Sequence, residues 1–287
     1  MQEETGKAFK ILTDKNETIA ARMRALFYLR NSDDPYSAKC IEGAFDDESV
    51  LLKHEAAYVL GQKKDSASMD VLRKVLKNEN EDEVVRHEAA EALGNYLDSS
   101  NLPLLDSLVG HSSAPVSETC YIAACKIREG MKTNYPEVSS FDSRDPAFPL
   151  KVSSLEEAKR IFLNPKSCLY QRYKAMFWLR DAGEAEVLCE GFSDESALFK
   201  HEIAFVLGQM RDPRAVEVLG QVMADPSEHG MVRHESAEAL GAIGTKRCHE
   251  LLTPFLNSQL AILRESVEVA LDIHAYENSN ELEYCKV

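Results

Sequence analysis

Apolar residues recur along this chain with a helical period, and that period is interrupted at regular intervals. Between Ser68 and Tyr96, the residues Met69, Val71, Leu72, Val75 and Leu76 form one stripe. The polar stretch from Asn78 to Asp82 breaks it, and Val84, Val85, Ala89, Ala90, Ala92 and Leu93 form a second. This spacing predicts two amphipathic helices joined by a short turn, with Gly94 as a C-cap. Such units, about 30 residues long, occupy roughly 7–31, 35–63, 66–96 and 99–130, and recur from near 155, 184, 214 and 247. No segment alternates as a half-buried strand would.

The units are themselves repeated at a longer interval. FDDESVLLKHEAAYVLGQKKD (Phe45 to Asp65) matches FSDESALFKHEIAFVLGQMRD (Phe192 to Asp212), and RMRALFYLRN (Arg22 to Asn31) matches RYKAMFWLRD (Arg172 to Asp181). A helical pair cannot bury its apolar stripe alone, so stacked neighbours must supply the missing contacts. The predicted fold is all-α, an α-solenoid of helical hairpins made by tandem duplication of a four-repeat half. Met131 to Ser154 contains Pro136, Pro146 and Pro149 and lacks helical period. It reads as a linker, giving an N-terminal half at 1–130, a linker at 131–154 and a C-terminal half at 155–287. The polar tail after Tyr276 reads as frayed.

Composition narrows the function classes. A hydrophobic content of 44% supports a packed core. A net charge of -15 argues against a nucleic-acid surface and favours a cationic partner or substrate. No apolar run is long enough for a membrane span, and the start, MQEETGKAFK, lacks the features of a secretory signal. The seven cysteines are odd in number and include no CxxC pair. They argue against a disulfide framework and a thiolate zinc site, and for the cytoplasm.

The candidate chemistry lies in one helical phrase carried four times: LLKHEAAYVLGQ, VVRHEAAEALG, LFKHEIAFVLGQ and MVRHESAEALG. Each holds a His-Glu dyad: His54-Glu55, His87-Glu88, His201-Glu202 and His234-Glu235. His54 to His87 is 33 residues, as is His201 to His234, and the two pairs lie 147 apart. Repeat packing alone does not require the dyad. The aligned positions of the outer repeats are Met23-Arg24, Glu118-Thr119, Tyr173-Lys174 and Glu265-Ser266. Equivalent helices of adjacent repeats lie about 8–10 Å apart, so His54 and His87 can converge on one ion, and neighbouring helical residues point about 100° apart.

Two imidazoles and a carboxylate with open positions form the ligand set typical of non-haem iron, although zinc and manganese hydrolases also use His and carboxylate pairs. The sets His54/His87/Glu88 and His201/His234/Glu235 would make a symmetric two-metal centre. Glu55 and Glu202 remain as further ligands, as partners of a cationic substrate, or as groups that orient the histidines.

VRHEAAEALG resembles the second-helix signature of HEAT-type repeats, in which second helices line the concave face. Four dyads, two per half of a HEAT-repeat duplication, resemble the deoxyhypusine hydroxylase family from about Arg22 to Leu271. The resemblance implies a di-iron monooxygenase that uses molecular oxygen to hydroxylate the aminobutyl chain of deoxyhypusine on the translation factor carrying it, completing hypusine synthesis. It assigns His54, His87, Glu88, His201, His234 and Glu235 to two iron ions, and puts Glu55 and Glu202 near the protonated amines of the substrate. The competing readings are a non-catalytic HEAT-repeat scaffold and a HEAT-like bilin lyase; neither accounts for dyads confined to the central repeats.

Other residues read as structural. His111, His229, His249 and His274 fall outside the dyad register, as surface or capping histidines. Trp178 reads as core. The acidic runs Glu81 to Glu83 and Phe45 to Ser49 read as solvated turns and N-caps.

Overall fold

The computed structural model describes residues 2–133, 138–152 and 154–277. These contain sixteen α-helices and no strand. In the first half, α1 (Glu3–Thr13) pairs with α2 (Ile19–Asn31), α3 (Ser37–Glu42) with α4 (Val50–Lys63), α5 (Met69–Lys77) with α6 (Glu83–Asn95), and α7 (Leu102–Leu108) with α8 (Ala114–Gly130). In the second half, α9 (Leu155–Phe162) pairs with α10 (Leu169–Asp181), α11 (Ala185–Glu190) with α12 (Ala197–Met210), α13 (Val216–Ala224) with α14 (Gly230–Ile243), and α15 (Lys246–Leu252) with α16 (Ala261–Glu277). No helix among the described residues is long and apolar enough to cross a membrane.

Two local devices recur among the hairpins. Second helices start at a residue whose side chain accepts a first-turn N–H: Thr18, Ser49, Asp82, Ser113, Ser196 and His229. Four buried or partly buried arginines then staple a second helix to the end of its first. Arg22, Arg86, Arg172 and Arg233 each donate Nε–H at 2.9–3.0 Å to a carbonyl ten residues earlier, on Leu12, Leu76, Phe162 and Met223. These carbonyls at helix ends have no partner within their own helix, and a cation suits the negative end of the helix dipole.

The second helices stack in sequence along an inner layer, and glycine sets their separation. A Cβ on Gly61 would lie 2.8 Å from Ala92 Cα, one on Gly94 2.9 Å from Ala123 Cβ, one on Gly208 3.0 Å from Ala239 Cα and one on Gly241 2.7 Å from Ala270 Cβ. Gly94 thus lies inside α6 and serves helix–helix approach. The expectation of a C-cap there is corrected: α6 runs on to Asn95, and Tyr96 follows it in helical conformation.

The solenoid also closes on itself. Helix α2 packs against both α4 and α16, while α8 packs against α6, α10 and α12, so the inner helices form a ring. The seams are polar and repeat with the duplication. Ser49 donates to Glu265 at 2.6 Å, and Ser196 donates to Glu118 at 2.7 Å, each partner displaced by 147. Arg24 grips Asp272 with two hydrogen bonds of 2.8 and 2.6 Å, and Lys174 meets Glu129 at 2.5 Å. Several outer-repeat positions that lack the dyad therefore join the halves.

The acidic runs are more engaged than solvated turns would be. Asp47 is ion-paired to buried Arg22, Glu81 to Lys53 at 2.6 Å, and Glu83 accepts from Ser113 at 2.5 Å. Trp178 is half-buried against the core and donates to Val152 O at 3.0 Å. The polar tail lies outside the described residues from 278 onward.

Candidate metal centre

The four dyads sit on α4, α6, α12 and α14, facing the middle of the ring. The residue before each histidine explains the aim of the phrase. Arg86 and Arg233 turn outward to staple their hairpins, and Lys53 and Lys200 turn to Glu81 and Glu228. The next two residues are left pointing inward. All eight dyad side chains are buried, with residue exposures of 0–6%. The imidazole centroids of His54 and His87 are 5.4 Å apart, those of His54 and His234 5.2 Å, those of His87 and His201 5.0 Å, and those of His201 and His234 5.5 Å. Residues up to 180 positions apart in the chain thus meet in one cluster.

Among the described residues, donor atoms gather in three overlapping groups within 4.8 Å: His54 with His87 and Glu88, His54 with His201 and His234, and His234 with Glu235 and Glu238. The first is a set read from the sequence. In the other half His201 Nε2 lies 3.4 Å from Glu235 Oε2, mirroring 3.5 Å between His54 Nε2 and Glu88 Oε2. Because His54 also joins His201 and His234, the cluster crosses the halves.

The donor chemistry fits a metal. Buried imidazole nitrogens without a protein hydrogen-bond partner include His54 Nε2, both nitrogens of His87 and His201, and His234 Nε2. Burial, reinforced by the other imidazoles, holds His87, His201 and His234 well below the ordinary histidine range, so their lone pairs are free to donate. His54 differs: burial also opposes its cation, but its Nδ1 lies 3.0 Å from Glu55 Oε1, and that carboxylate raises it. Burial and mutual repulsion push Glu88, Glu202 and Glu235 well above the carboxylate range. A bound cation relieves both the orphaned nitrogens and the crowded carboxylates.

A small cavity adjoins the cluster. Its lining falls into five pairs displaced by 147: His54/His201, Glu55/Glu202, Tyr58/Phe205, Glu88/Glu235 and Glu91/Glu238. Glu91 and Glu238 went unread in the sequence, although each follows a dyad glutamate by three residues and so shares its helical face. Burial raises both, Glu91 to about 7. Glu238 accepts from Ser266 at 2.9 Å and lies 3.3 Å from His234 Nδ1.

Within the stretch read as a linker, the described residues 138–152 form a strap over one mouth of the ring. Asp145 makes a bidentate pair with buried Arg180 at 2.9 and 2.7 Å, and its backbone oxygen accepts from Lys126. The remaining histidines stay outside the cluster. His229 caps α14 and meets Glu83 across the halves at 3.2 Å; His111 accepts from Ser113 N at 3.0 Å. His249 is also followed by a glutamate, Glu250, but lies exposed on α15 beside His274.

Comparison with known proteins agrees with this architecture. The HEAT repeats model matches residues 7–94, 37–125 and 185–272. Deoxyhypusine hydroxylase of Candida albicans is 47% identical, with 95% of this chain and 92% of the relative covered. The Drosophila melanogaster relative of the same name is 41% identical over 96% and 92%, and that of Bos taurus 40% over 99% and 95%. The structure of human deoxyhypusine hydroxylase in complex with glycerol superposes with a TM-score of 0.92 at 38% identity, covering 96% of both chains. With this identity along almost the whole length, on a closed ring of HEAT-type hairpins, the chain belongs to the deoxyhypusine hydroxylase family of hydroxylating oxidoreductases.

Proposed function

We propose that this chain hydroxylates the deoxyhypusine side chain of the translation factor that bears it, completing hypusine synthesis in the cytoplasm, with two iron ions and molecular oxygen. His54, His87 and Glu88 with His201, His234 and Glu235 would hold the irons. The observation that carries this reading is the set of buried imidazole nitrogens, converging from four helices, that find no protein hydrogen-bond partner. Cys120, Cys125, Cys168, Cys189 and Cys248 form no disulfide, in keeping with a reducing compartment.

Iron held there supplies the activation of oxygen needed to hydroxylate an unactivated C–H bond, which no side chain of the chain provides. The residues of the chain do the rest. Burial keeps the imidazoles of His87, His201 and His234 neutral. Glu55 and Glu202 are raised by burial toward the neutral form, and an ammonium beside them restores their charge. Glu202 Oε1 is buried without a hydrogen-bond partner, as expected of an atom that waits for a donor. Tyr58 and Phe205, with ring centroids 5.9 Å apart, give the cavity an aromatic wall against the methylene chain.

The test is isotopic. Reduced, iron-loaded protein given oxygen and deoxyhypusine-bearing translation factor should add one oxygen atom to the side chain, with label arriving from labelled oxygen gas. Label from water alone, or turnover without oxygen, rejects the reading.

A further inference from the structure

The cavity at the centre is two-fold symmetric in its own lining and asymmetric one layer out. Helices α6 and α8 correspond to α14 and α16 at an offset of 147. Asn95 and Lys126 on one side therefore answer to Ala242 and Ile273 on the other. Each pair lines its own groove. The groove of Asn95 and Lys126 is roofed by strap residues such as Ala147 and Phe148, and shares no lining residue with the central cavity. The groove of Ala242 and Ile273 shares Glu55, Tyr58, Phe205, Glu235 and Glu238 with it. The central cavity is thus continuous with the groove on the Glu238 side, where the strap contributes Phe141 to the lining, and shares no wall with the groove on the Glu91 side.

The closed side already holds an ammonium. Lys126 is only 4% exposed, and its Nζ donates to Asn95 Oδ1 and to Asp145 O. Asn95 follows Glu91 by four residues on α6, so this ammonium sits one helical turn from Glu91, the counterpart of Glu238. A lysine side chain is four methylenes ending in an ammonium, which is chemically an aminobutyl group. On the open side the matching position is Ile273, so Glu238 has no built-in lysine there. Arg30 and Arg211 line the open groove as well, but not the central cavity, whereas Glu55, Glu235 and Glu238 line both. The deep end of the open groove is therefore its anionic end.

We propose that Lys126 permanently fills one of two symmetry-related ammonium subsites, so that the free amine of the substrate goes to Glu238, through the groove of Ala242 and Ile273 and in one direction only. This rests on the reading of the substrate as a deoxyhypusine side chain. A site symmetric throughout would hold an aminobutyl chain in two opposed orientations. Filling one subsite removes the second orientation, and the asymmetry of Lys126 against Ile273 is what separates them.

Calorimetry of the iron-loaded, full-length protein with 1,4-diaminobutane reads the subsites. The wild type should take up one diamine per chain. Glu238→Gln should weaken uptake at least tenfold with iron content retained, while Glu91→Gln should change it less than twofold. Ile273→Lys, which installs the same ammonium in the open groove, should abolish uptake, again with iron retained. Equal losses in the two glutamine variants, loss of iron in Glu238→Gln, wild-type uptake by Ile273→Lys, or no uptake by the wild type would each overturn the proposal. None of these outcomes depends on oxygen incorporation, so isotope label still arriving from oxygen gas would leave the hydroxylase reading standing while this inference fell.

Discussion

Gln62 and Gln209, 147 residues apart in the duplication, hold neighbouring residues of the same strap. Gln62 Oε1 accepts from Arg144 N at 2.8 Å, and Gln209 Nε2 donates to Ser143 Oγ at 2.9 Å. The strap is therefore tied to both halves.

Its main anchor should be Asp145. The Arg180 side chain is 0% exposed and pairs with Asp145 and with the more exposed Asp181. Among the described residues, Asp145→Asn leaves Asp181 as the only carboxylate paired with that guanidinium. We expect a loss of about 3 kcal/mol in denaturant unfolding, the low end of the range for a broken buried pair because one carboxylate remains. Limited proteolysis should then cut within 138–150. Unchanged unfolding and protease resistance would show that the strap is held elsewhere.

His87→Ala and His234→Ala should each lower iron content while the far-UV helical signal is kept. Both side chains are fully buried, and the residues that pack the hairpins are others. Metal analysis beside circular dichroism checks this; full iron occupancy in both variants would remove them from the ligand set.

Glu55→Ala and Glu202→Ala should weaken binding of the deoxyhypusine-bearing protein more than they reduce iron. Removing one partner of a buried charge pair costs roughly 2–5 kcal/mol, or about 30- to 4,000-fold in Kd. If iron is lost while binding survives, the two glutamates are ligands instead.

Acid stability should depend on Asp47. Burial alone would raise its carboxyl, but hydrogen bonds from Arg22 and from Ser49 N, with the charge of Arg22, hold it below the ordinary value. A depressed carboxyl contributes stability that is complete above its unfolded value of about 3.9 and is lost as pH falls through its folded value. Unfolding curves of the wild type should therefore steepen below about pH 4. Asp47→Asn should flatten part of that slope and cost about 3 kcal/mol at neutral pH. Parallel pH dependence in both proteins would count against this role.

The sequence carries the hairpins and dyads openly because both are periodic. A helical stripe shows in the spacing of Val84, Val85, Ala89 and Leu93, and a dyad present only in central repeats stands out against Met23-Arg24 or Glu265-Ser266. Ring closure is hidden because Arg24 and Asp272, or Ser49 and Glu265, are meaningful only once the chain has come round. Gly94 misleads for a related reason: glycine ends helices and also lets helices touch, and only Ala123 across the interface decides between the two. Lys126 is the least legible. It is one lysine on an otherwise apolar face, and its partners Asn95 and Asp145 come from a neighbouring helix and from the strap.

The offset of 147 also bears on what this architecture permits by inheritance. Two separate copies of one half, assembled as a symmetric dimer, would share every mutation: a lysine placed in one groove would appear at once in the other and close both. Joined on a single chain, the copies vary independently. Lys126 and Ile273 are two answers at one ancestral position, and neither answer is open to the unfused pair.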